Sequence, residues 1–328
     1  MRMQFTSWAT ALVIVATMAS SVAASAGETP SFAVWLDGLR AEARERGIGE
    51  ATLAAALDGI EPLSRVIELD RHQPEVALTF RQYMKKRITP ALVAEGRKAL
   101  AANRALLEAV GERFGVQPRF IVSLWGVETR YGRYTGGFSV VQALATLAYD
   151  GRRGAYFRRE LLDALRIIDA GHIAAKAMTG SWAGAMGQSQ FMPSSFLRFA
   201  VDYDGDGRRD IWTTPGDVFA SAANYLARVG WRDDQTWGRA VRLPADFDTG
   251  LIGIAVVKGL RDWQRLGVRR ADGSDLPTRN LKASIILPGG TEGPAFVVYD
   301  NYRAILKWNR SDYFAVSVGR LADLIAGG

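Results

Sequence analysis

The sequence contains no cysteine and only two histidines, and these shortages exclude several kinds of enzyme chemistry. Without cysteine the chain has no disulfide, no thiolate nucleophile and no site for lipid attachment to sulfur. His72 and His172 alone cannot supply a histidine-rich metal site and leave little basis for a Ser-His-Asp triad, so both are interpreted as structural. No glycine-rich phosphate loop precedes a lysine, so nucleotide chemistry is not indicated. The remaining candidates are carboxylates.

Long hydrophobic runs are also scarce, and the notable one lies at the N-terminus. Arg2 is the only charge before Glu28, and an apolar stretch over residues 8–16 leads into small residues ending at Ala26. This order predicts a signal peptide over residues 1–26, cleaved after about Ala26. A membrane anchor, the alternative, is disfavoured because the run is shorter than the roughly 20 residues of a spanning helix.

The composition that remains is that of a folded, basic, exported protein. Nine Trp, ten Tyr and fourteen Phe can fill a core, which excludes a disordered chain. The net charge of +7 suits an acidic partner, such as a carboxylate-bearing polymer or an anionic membrane surface. The charges are scattered rather than clustered, so an ordinary solvated surface is the alternative. Nucleic acid is not expected as a partner of an exported chain.

Apolar spacing predicts a mainly α fold of the α+β class with a small β insert late in the chain. Three- and four-residue spacing indicates helices over residues 30–110, and helices alternate with glycine-rich turns over residues 116–237. Two final helices are predicted over residues 301–308 and 313–326. Short apolar runs bounded by Gly, Pro and Asp predict strands at residues 241–243, 252–257, 284–287 and 295–299.

Glu128 is the carboxylate best placed for catalysis. Pro118 can open its helix and Gly132 can end it. The residues three, four and seven positions before Glu128 are all large and apolar, namely Trp125, Leu124 and Ile121. Burial and the negative end of the helix dipole would both raise the pKa of Glu128, as a general acid needs. The alternative is a helix-end Glu that faces solvent or pairs with Arg130.

Residues 180–195 combine small residues with hydroxyl and amide groups. The small residues let the backbone approach a ligand, and the polar groups suit sugar hydroxyls and N-acetyl groups. A plain connector between helices, with Pro193 starting the next helix, is the alternative. The polar side chains are Ser181, Gln188, Ser189 and Gln190.

Residues 202–213 match the calcium loop of an EF-hand at most positions. Asp202, Asp204, Asp206, Gly207 and Asp210 fall where that loop requires them. The twelfth position departs from the pattern, because Thr213 replaces the bidentate Glu; Asp217 could close a longer loop. This pattern predicts a structural Ca²⁺ site, and an Asp-rich turn without metal is the alternative.

Together these segments resemble the B-type lytic murein transglycosylases over most of the mature chain. The matching segments are WGVETRYG (125–132), ALATL (143–147), GSWAGAMG (180–187), QFMPSS (190–195), the aspartate loop, ANYL (223–226) and NRSDY (309–313). The resemblance implies a lysozyme-like catalytic core. The implied division is a helical lobe (27–115), the catalytic core with the calcium loop (116–238), a small β insert (239–300) and C-terminal helices returning to the core (301–328).

The resemblance also implies a reaction. The β-1,4 bond between N-acetylmuramic acid and N-acetylglucosamine of peptidoglycan would be cleaved without net hydrolysis. Glu128 would protonate the leaving oxygen and then act as base on the muramyl C6 hydroxyl, which closes a 1,6-anhydro ring. One carboxyl serves both steps, so the paired carboxylates of ordinary glycosidases are not required.

Further site residues follow from the resemblance, position by position. Groove contacts to the glycan would come from Ser181, Gln190, Tyr83, Tyr156, Asn309 and Tyr313, and contacts to acidic peptide stems from Arg152 and Arg153. Tyr156 and Tyr313 could equally be core aromatics, and the arginines surface charge. The metal ligands would be the side chains of Asp202, Asp204, Asp206 and Asp217 and the backbone carbonyl of Arg208. No organic cofactor is expected.

The predicted signal peptide indicates the periplasm, where the protein is expected to act on peptidoglycan strands as a monomer. The resemblance leaves cell-wall synthesis or assembly proteins open as partners. Some relatives are lipoproteins or carry an added wall-binding module, but this chain has no Cys to acylate and ends at Gly328. A stable membrane anchor is therefore not expected. Two rival functions remain: a hydrolytic muramidase using Asp150 or Asp163 as second carboxylate, and a catalytically inactive wall-binding protein.

Overall fold

The computed structural model describes residues 30–71 and 78–327. The predicted signal peptide and His72 lie outside these residues. The described helices are α1 (Phe32–Glu45), α2 (Glu50–Leu57), α3 (Ser64–Arg71), α4 (Phe80–Arg87), α5 (Pro90–Ala102), α6 (Arg104–Phe114), α7 (Pro118–Thr129), α8 (Val140–Asp150), α9 (Gly154–Asp169), α10 (Pro193–Phe199), α11 (Pro215–Arg228), α12 (Leu260–Arg265), α13 (Asp300–Trp308) and α14 (Asp312–Ile325). The strands are β1 (Phe138–Ser139), β2 (Thr179–Gly180), β3 (Gly238–Arg242), β4 (Lys258–Gly259), β5 (Arg269–Arg270), β6 (Lys282–Ile286) and β7 (Ala295–Val298).

Helix α7 is the centre of the helical part. Pro118 occupies its first turn, where a missing N–H leaves no hydrogen bond unmade. It packs against α5, α6, α11 and α14, and most of its side chains are buried on all sides. The Ser123 hydroxyl donates to the Val318 carbonyl of α14 at 2.6 Å. A helix enclosed in this way needs apolar residues around its whole circumference, as residues 120–127 provide.

The small β insert forms a five-stranded antiparallel sheet in the order β4-β6-β7-β3-β5. One face packs under α12 and forms a second apolar core, separate from the large helical one. Its buried members are Val241, Leu260, Trp263, Val268, Leu276, Ala283, Ile285, Ala295, Val297 and Tyr299. The predictions of strands near residues 241, 284–287 and 295–299 and of the two final helices are confirmed, within one to three residues at their ends.

The predicted strand at residues 252–257 is wrong. A short 3₁₀ helix (Thr249–Leu251) leads into a turn, and only Ile252 forms a bridge, to Ile285. Gly253 has φ +123°, which is outside the strand region. The Ser284 hydroxyl lies 2.7 Å from the carbonyl oxygen of residue 256 and 3.2 Å from that of residue 254, and these two carbonyls share its single proton. A side chain rather than a sheet partner therefore contacts both of them. An apolar run cannot reveal such a partner.

The predicted fold class, mainly α with a small β insert, is confirmed. One large apolar core joins the helices other than α12 and one face of the sheet, through Ile286, Phe296 and Val298, while the other face and α12 form the second core. Within residues 30–71 and 78–327, no helix combines the length and apolar character of a membrane span. The exact lobe boundaries stay predictions.

Candidate active site

Glu128 lies in the last turn of α7, just before a left-handed turn. Arg130 and Tyr131 have φ values of 49° and 60°, which non-glycine residues adopt only when their surroundings hold them there. Two anchors on α5 supply that support. Arg130 forms two 2.9 Å bonds to Glu95, and the Tyr131 hydroxyl donates to the Leu92 carbonyl at 2.8 Å. The two residues of the turn that follows Glu128 are therefore both held by α5.

The electrostatic surroundings of Glu128 favour its protonated form. Burial raises its pKa from 4.5 to about 7. Two weaker effects oppose burial. The Trp308 indole Nε1 donates to Glu128 Oε1 at 2.7 Å, and the positive charge of Arg87 also lowers the pKa. The Arg87 guanidinium is held close by the Val127 carbonyl. A carboxyl with this pKa keeps its proton to neutral pH, yet can still release it.

Glu128 lies between an open pocket and a small interior cavity. The open pocket has a volume of about 270 Å³, and its walls include Lys86, Arg87, Thr89, Arg130 and Tyr134. Behind the carboxyl lies a cavity of about 10 Å³, which holds at most about one water. Its lining includes Ile121, Leu124 and Trp125. The predicted apolar neighbours of Glu128 are confirmed, and Arg130 pairs with Glu95 rather than with Glu128.

Residues 180–195 fold into a compact set of bridges rather than a simple connector. Met186 bridges both Gly180 and Phe191. The Gln188 side-chain amide forms a hydrogen bond through each of its polar atoms. Its Oε1 accepts from Trp125 Nε1, and its Nε2 donates to the Trp212 carbonyl, both at 2.8 Å. This clamp ties the segment to the helix that carries Glu128.

The two predicted sugar contacts of this segment have fixed positions. The Ser181 hydroxyl accepts from Ala185 N at 3.0 Å. Gln190, at φ 48°, donates from Nε2 to the carbonyls of Thr135 and Gly187 at 3.0 and 2.9 Å. The Gln190 Oε1 atom is thereby oriented and accepts no hydrogen bond from a described residue. Both roles in sugar binding stay predictions.

The predicted aromatic groove residues divide into a pair and a single residue. Tyr83 of α4 and Tyr313 of α14 have ring centroids 5.2 Å apart. Tyr156 on α9 packs on Phe157 at 5.1 Å and is 39% exposed. Asn309 is exposed directly after Trp308, and its Oδ1 accepts from the backbone N–H of residue 311 at 3.1 Å. None of these contacts joins Tyr156 to the other three.

Arg152 and Arg153 converge on one buried carboxylate. Asp70 is 2% exposed and accepts from Arg152 at 2.8 and 3.2 Å and from Arg153 at 2.6 Å. These charges hold the pKa of Asp70 below its usual value, although burial opposes them. Both arginine side chains stay about half exposed, so their remaining N–H groups can still meet an anion.

The aspartate loop brings three carboxylates together. Asp202, Asp204 and Asp217 each place an oxygen within 4.8 Å of the others. Asp217 is 1% exposed; burial first, and then the two neighbouring charges, raise its pKa. Such a set of hard oxygen donors with mutual repulsion fits a Ca²⁺ ion. Asp206 is not in this group, because its carboxylate binds the Arg208 side chain at 2.9 and 3.1 Å.

Three side chains of this site were missed by the sequence reasoning. Trp308 donates a hydrogen bond to the Glu128 carboxyl, and Arg87 donates to the Val127 carbonyl just before it. Asp70 accepts from Arg152 and Arg153. Trp308 directly precedes the NRSDY segment at 309–313, and this adjacency was the available signal. No comparable signal marks Arg87 or Asp70.

A comparison with known proteins finds a family model and a relative that match most of this chain. A family model described as the transglycosylase SLT domain matches residues 31–323. The membrane-bound lytic murein transglycosylase B of Escherichia coli K12 is 35% identical over 253 residues, which span 75% of this chain and 67% of that protein.

Solved structures resemble the whole fold. SltB3 of Pseudomonas aeruginosa in complex with NAG-NAM-pentapeptide has a TM-score of 0.89 and 45% identity, covering 91% of this chain and 80% of its own. The Escherichia coli lytic transglycosylase Slt35 in complex with calcium has a TM-score of 0.76 and 29% identity, covering 91% and 93%.

Proposed function

Because this chain belongs to the transglycosylase SLT domain family of lytic murein transglycosylases, we propose that Glu128 is its catalytic acid and base. The protein is a peptidoglycan lytic transglycosylase, a glycosidic-bond lyase with a lysozyme-like fold. The alternative of an inactive wall-binding protein is not supported. The observation that carries the proposal is the position of Glu128, with its raised pKa, at the wall of an open pocket.

The proposed reaction moves one proton in a cycle. Glu128 gives its proton to the oxygen between the muramyl and glucosaminyl residues as the muramyl C1–O bond breaks. The resulting carboxylate takes the proton of the muramyl C6 hydroxyl, and C6–O attacks C1 to form the 1,6-anhydro ring. Glu128 ends protonated, and no water is consumed. Trp308 steadies the carboxylate between the two steps by its 2.7 Å hydrogen bond.

The absence of a second carboxyl in the described pocket wall favours this route over hydrolysis. Among the described residues that line it, Glu128 is the only acidic one. The two candidates for a second catalytic carboxylate bind arginines elsewhere. Asp150 accepts from Arg71 at 2.6 Å, and Asp163 accepts from Arg166 at 3.2 Å. An inverting or retaining hydrolase needs its second carboxyl opposite the first. Mass spectrometry of sacculus digests tests this, because the transglycosylase product is lighter by one water and has no reducing end.

The substrate proposed is a glycan strand bearing peptide stems. SltB3 was solved with NAG-NAM-pentapeptide, which supports the same class of ligand here. Ser181, Gln190, Tyr83, Asn309 and Tyr313 are the proposed glycan contacts. Tyr156 is a further proposed contact, and Arg152 and Arg153 are proposed to bind stem carboxylates with the N–H groups that Asp70 leaves free. The proposed location is the periplasm, where the protein would act as a monomer.

Replacing Trp308 by Phe should lower activity about tenfold while preserving the fold. Phe keeps the ring that packs on Tyr225 at 4.7 Å but loses the indole N–H. One hydrogen bond to a charged group contributes about 1.5–3 kcal/mol, and the lower end of this range corresponds to about a tenfold loss. The pKa of Glu128 should also rise, because that bond lowers it.

The measurement is the pH profile of sacculus solubilisation, whose alkaline limb should move to higher pH in Trp308→Phe. Trp231→Phe is the matched control, since it loses an indole bond to Gln117 at 3.0 Å. An unshifted limb in Trp308→Phe would show that this residue does not position Glu128.

We also propose that Asp202, Asp204 and Asp217 hold a structural Ca²⁺, which the calcium complex of Slt35 supports. The Arg208 carbonyl and Asp206 would complete the set once Asp206 leaves the Arg208 side chain. Bound Ca²⁺ would offset the repulsion among the three carboxylates and fix the entry to α11, which begins two residues before Asp217.

Millimolar Ca²⁺ should raise the melting temperature, by a few degrees if it exceeds the dissociation constant about a hundredfold. Differential scanning calorimetry with and without chelator measures the shift. Asp204→Asn should abolish most of the shift, whereas Asp272→Asn, in an unrelated Asx turn that binds Ser274, should keep it. An equal Ca²⁺ shift in both variants would rule out this site.

A further inference from the structure

A second concave surface borders the aromatic residues that hold Trp308. It has a volume of about 450 Å³, and we call it the rim pocket. Its lining includes Ser195, Arg198, Phe199, Tyr225, Arg228 and Lys307. Part of it comes from the QFMPSS segment, whose last two residues have no place in the proposed reaction. The rim pocket is separate from the open pocket beside Glu128, with which it shares no lining residue.

The floor of the rim pocket is aromatic. Phe199 and Tyr225 are nearly buried, with ring centroids 4.4 Å apart. Tyr225 also packs on Trp308 at 4.7 Å, and its hydroxyl donates to the Lys307 carbonyl at 2.6 Å. Since Trp308 donates a hydrogen bond to Glu128, the Tyr225 ring of this floor is linked to the catalytic carboxyl through one side chain.

The rim carries three exposed cations without acidic partners. Arg228 Nη1 donates to the Arg198 carbonyl at 3.1 Å, and Lys307 Nζ to the Val229 carbonyl at 2.8 Å. These bonds orient the side chains but do not neutralise them. Among the described residues, none of the three forms an ion pair. Arg152 and Arg153, by contrast, share a buried aspartate.

The serines of the rim pocket play different parts. Ser194 is engaged by Glu160, whose two oxygens accept from its backbone N–H at 2.9 Å and its hydroxyl at 2.8 Å. Ser195 forms no side-chain hydrogen bond with a described residue, so its hydroxyl can donate to a ligand. Cations, a free hydroxyl and an apolar floor together suit an organic anion with aliphatic parts.

We propose that the rim pocket binds the carboxylates of a peptide stem on the strand that is being cleaved. This inference rests on the proposed function. A pocket of about 450 Å³ with an aromatic floor exceeds what a small inorganic anion fills. An extended peptide spans about 3.3–3.6 Å per residue, so a stem of a few residues is longer than the 4.7 Å between the ring centroids of Tyr225 and Trp308. The positive rim complements the stem carboxylates.

Binding measurements in the Glu128→Gln background test the proposal. Isothermal titration would compare a disaccharide carrying its peptide stem with the same disaccharide without the stem. In Arg198→Gln/Arg228→Gln, the dissociation constant of the stem-bearing fragment should rise roughly five- to tenfold, as expected for two partly exposed charge contacts. That of the bare disaccharide should not change, and the difference should shrink in high salt.

The charge-matched control is Arg104→Gln/Lys176→Gln, which removes two exposed positive charges outside the rim pocket. It should bind both fragments as the parent does. Equal weakening for both fragments, or by the control as well, would overturn the proposal, as would unchanged binding of the stem-bearing fragment. Release of anhydro products from sacculi by the wild type tests the proposed function separately, so the two failures remain distinguishable.

Discussion

Glu128→Gln should solubilise sacculi at least about a thousandfold more slowly than the wild type, because one group performs both proton transfers. Gln has nearly the same shape and can still accept the Trp308 hydrogen bond, but it can neither donate the proton to the glycosidic oxygen nor take one from C6–OH. The measurement is the rate at which soluble anhydro-muropeptides are released, which is monitored by mass spectrometry under identical conditions for both proteins.

Stability measurements decide whether that loss is chemical or structural. The folded-state pKa of Glu128 lies above its unfolded value, so the buried carboxylate costs stability above about pH 4.5, and fully above about pH 7. Gln carries no such cost. Glu128→Gln should therefore be about 1–3 kcal/mol more stable than the wild type at pH 8, and this gain should fall below about 1 kcal/mol at pH 5.

A matched control for both assays is Glu95→Gln, which disturbs the Arg130 anchor without removing the proton donor. It should retain measurable turnover and should not gain stability between pH 5 and 8, since the pKa of Glu95 is lowered rather than raised. Turnover by Glu128→Gln at the level of Glu95→Gln would refute the assignment of Glu128 as the catalytic residue.

The sequence sufficed where local periodicity carried the information. Ile121, Leu124 and Trp125 stand one and two turns before Glu128, so its burial could be read from a single helix. Its partners could not be read in that way. Trp308 is 180 positions from Glu128, and Asp70 is 82 positions from Arg152. Such pairs are brought together by tertiary packing, which leaves no periodic trace in either segment.

Two further outcomes show the same limit. The acidic loop was recognised from its spacing, yet the pairing of Asp206 with Arg208 depends on side-chain conformations that spacing does not specify. The apolar run at residues 252–257 predicts a strand, but in the structure the carbonyls of residues 254 and 256 face the Ser284 hydroxyl instead of a neighbouring strand. Family resemblance supplied the groove positions, whereas the rim pocket, formed by α10, α11 and the end of α13, needed the three-dimensional structure.

The rate of strand cleavage should fall about tenfold for each pH unit above about 7. The reaction starts with protonated Glu128, and burial raises the pKa of that carboxyl to about 7. Below this pH the acid form predominates and the rate should be flat down to about pH 5.5. With an ordinary pKa near 4.5, only about one molecule in three hundred would be protonated at pH 7.

The measurement is the initial rate at limiting sacculus concentration, which reports the pKa of the free enzyme. Circular dichroism at each pH separates titration from unfolding. A limb centred near pH 4.5 in a folded protein would mean that Glu128 is solvated, and the apolar wall of Ile121, Leu124 and Trp125 would then have no catalytic consequence.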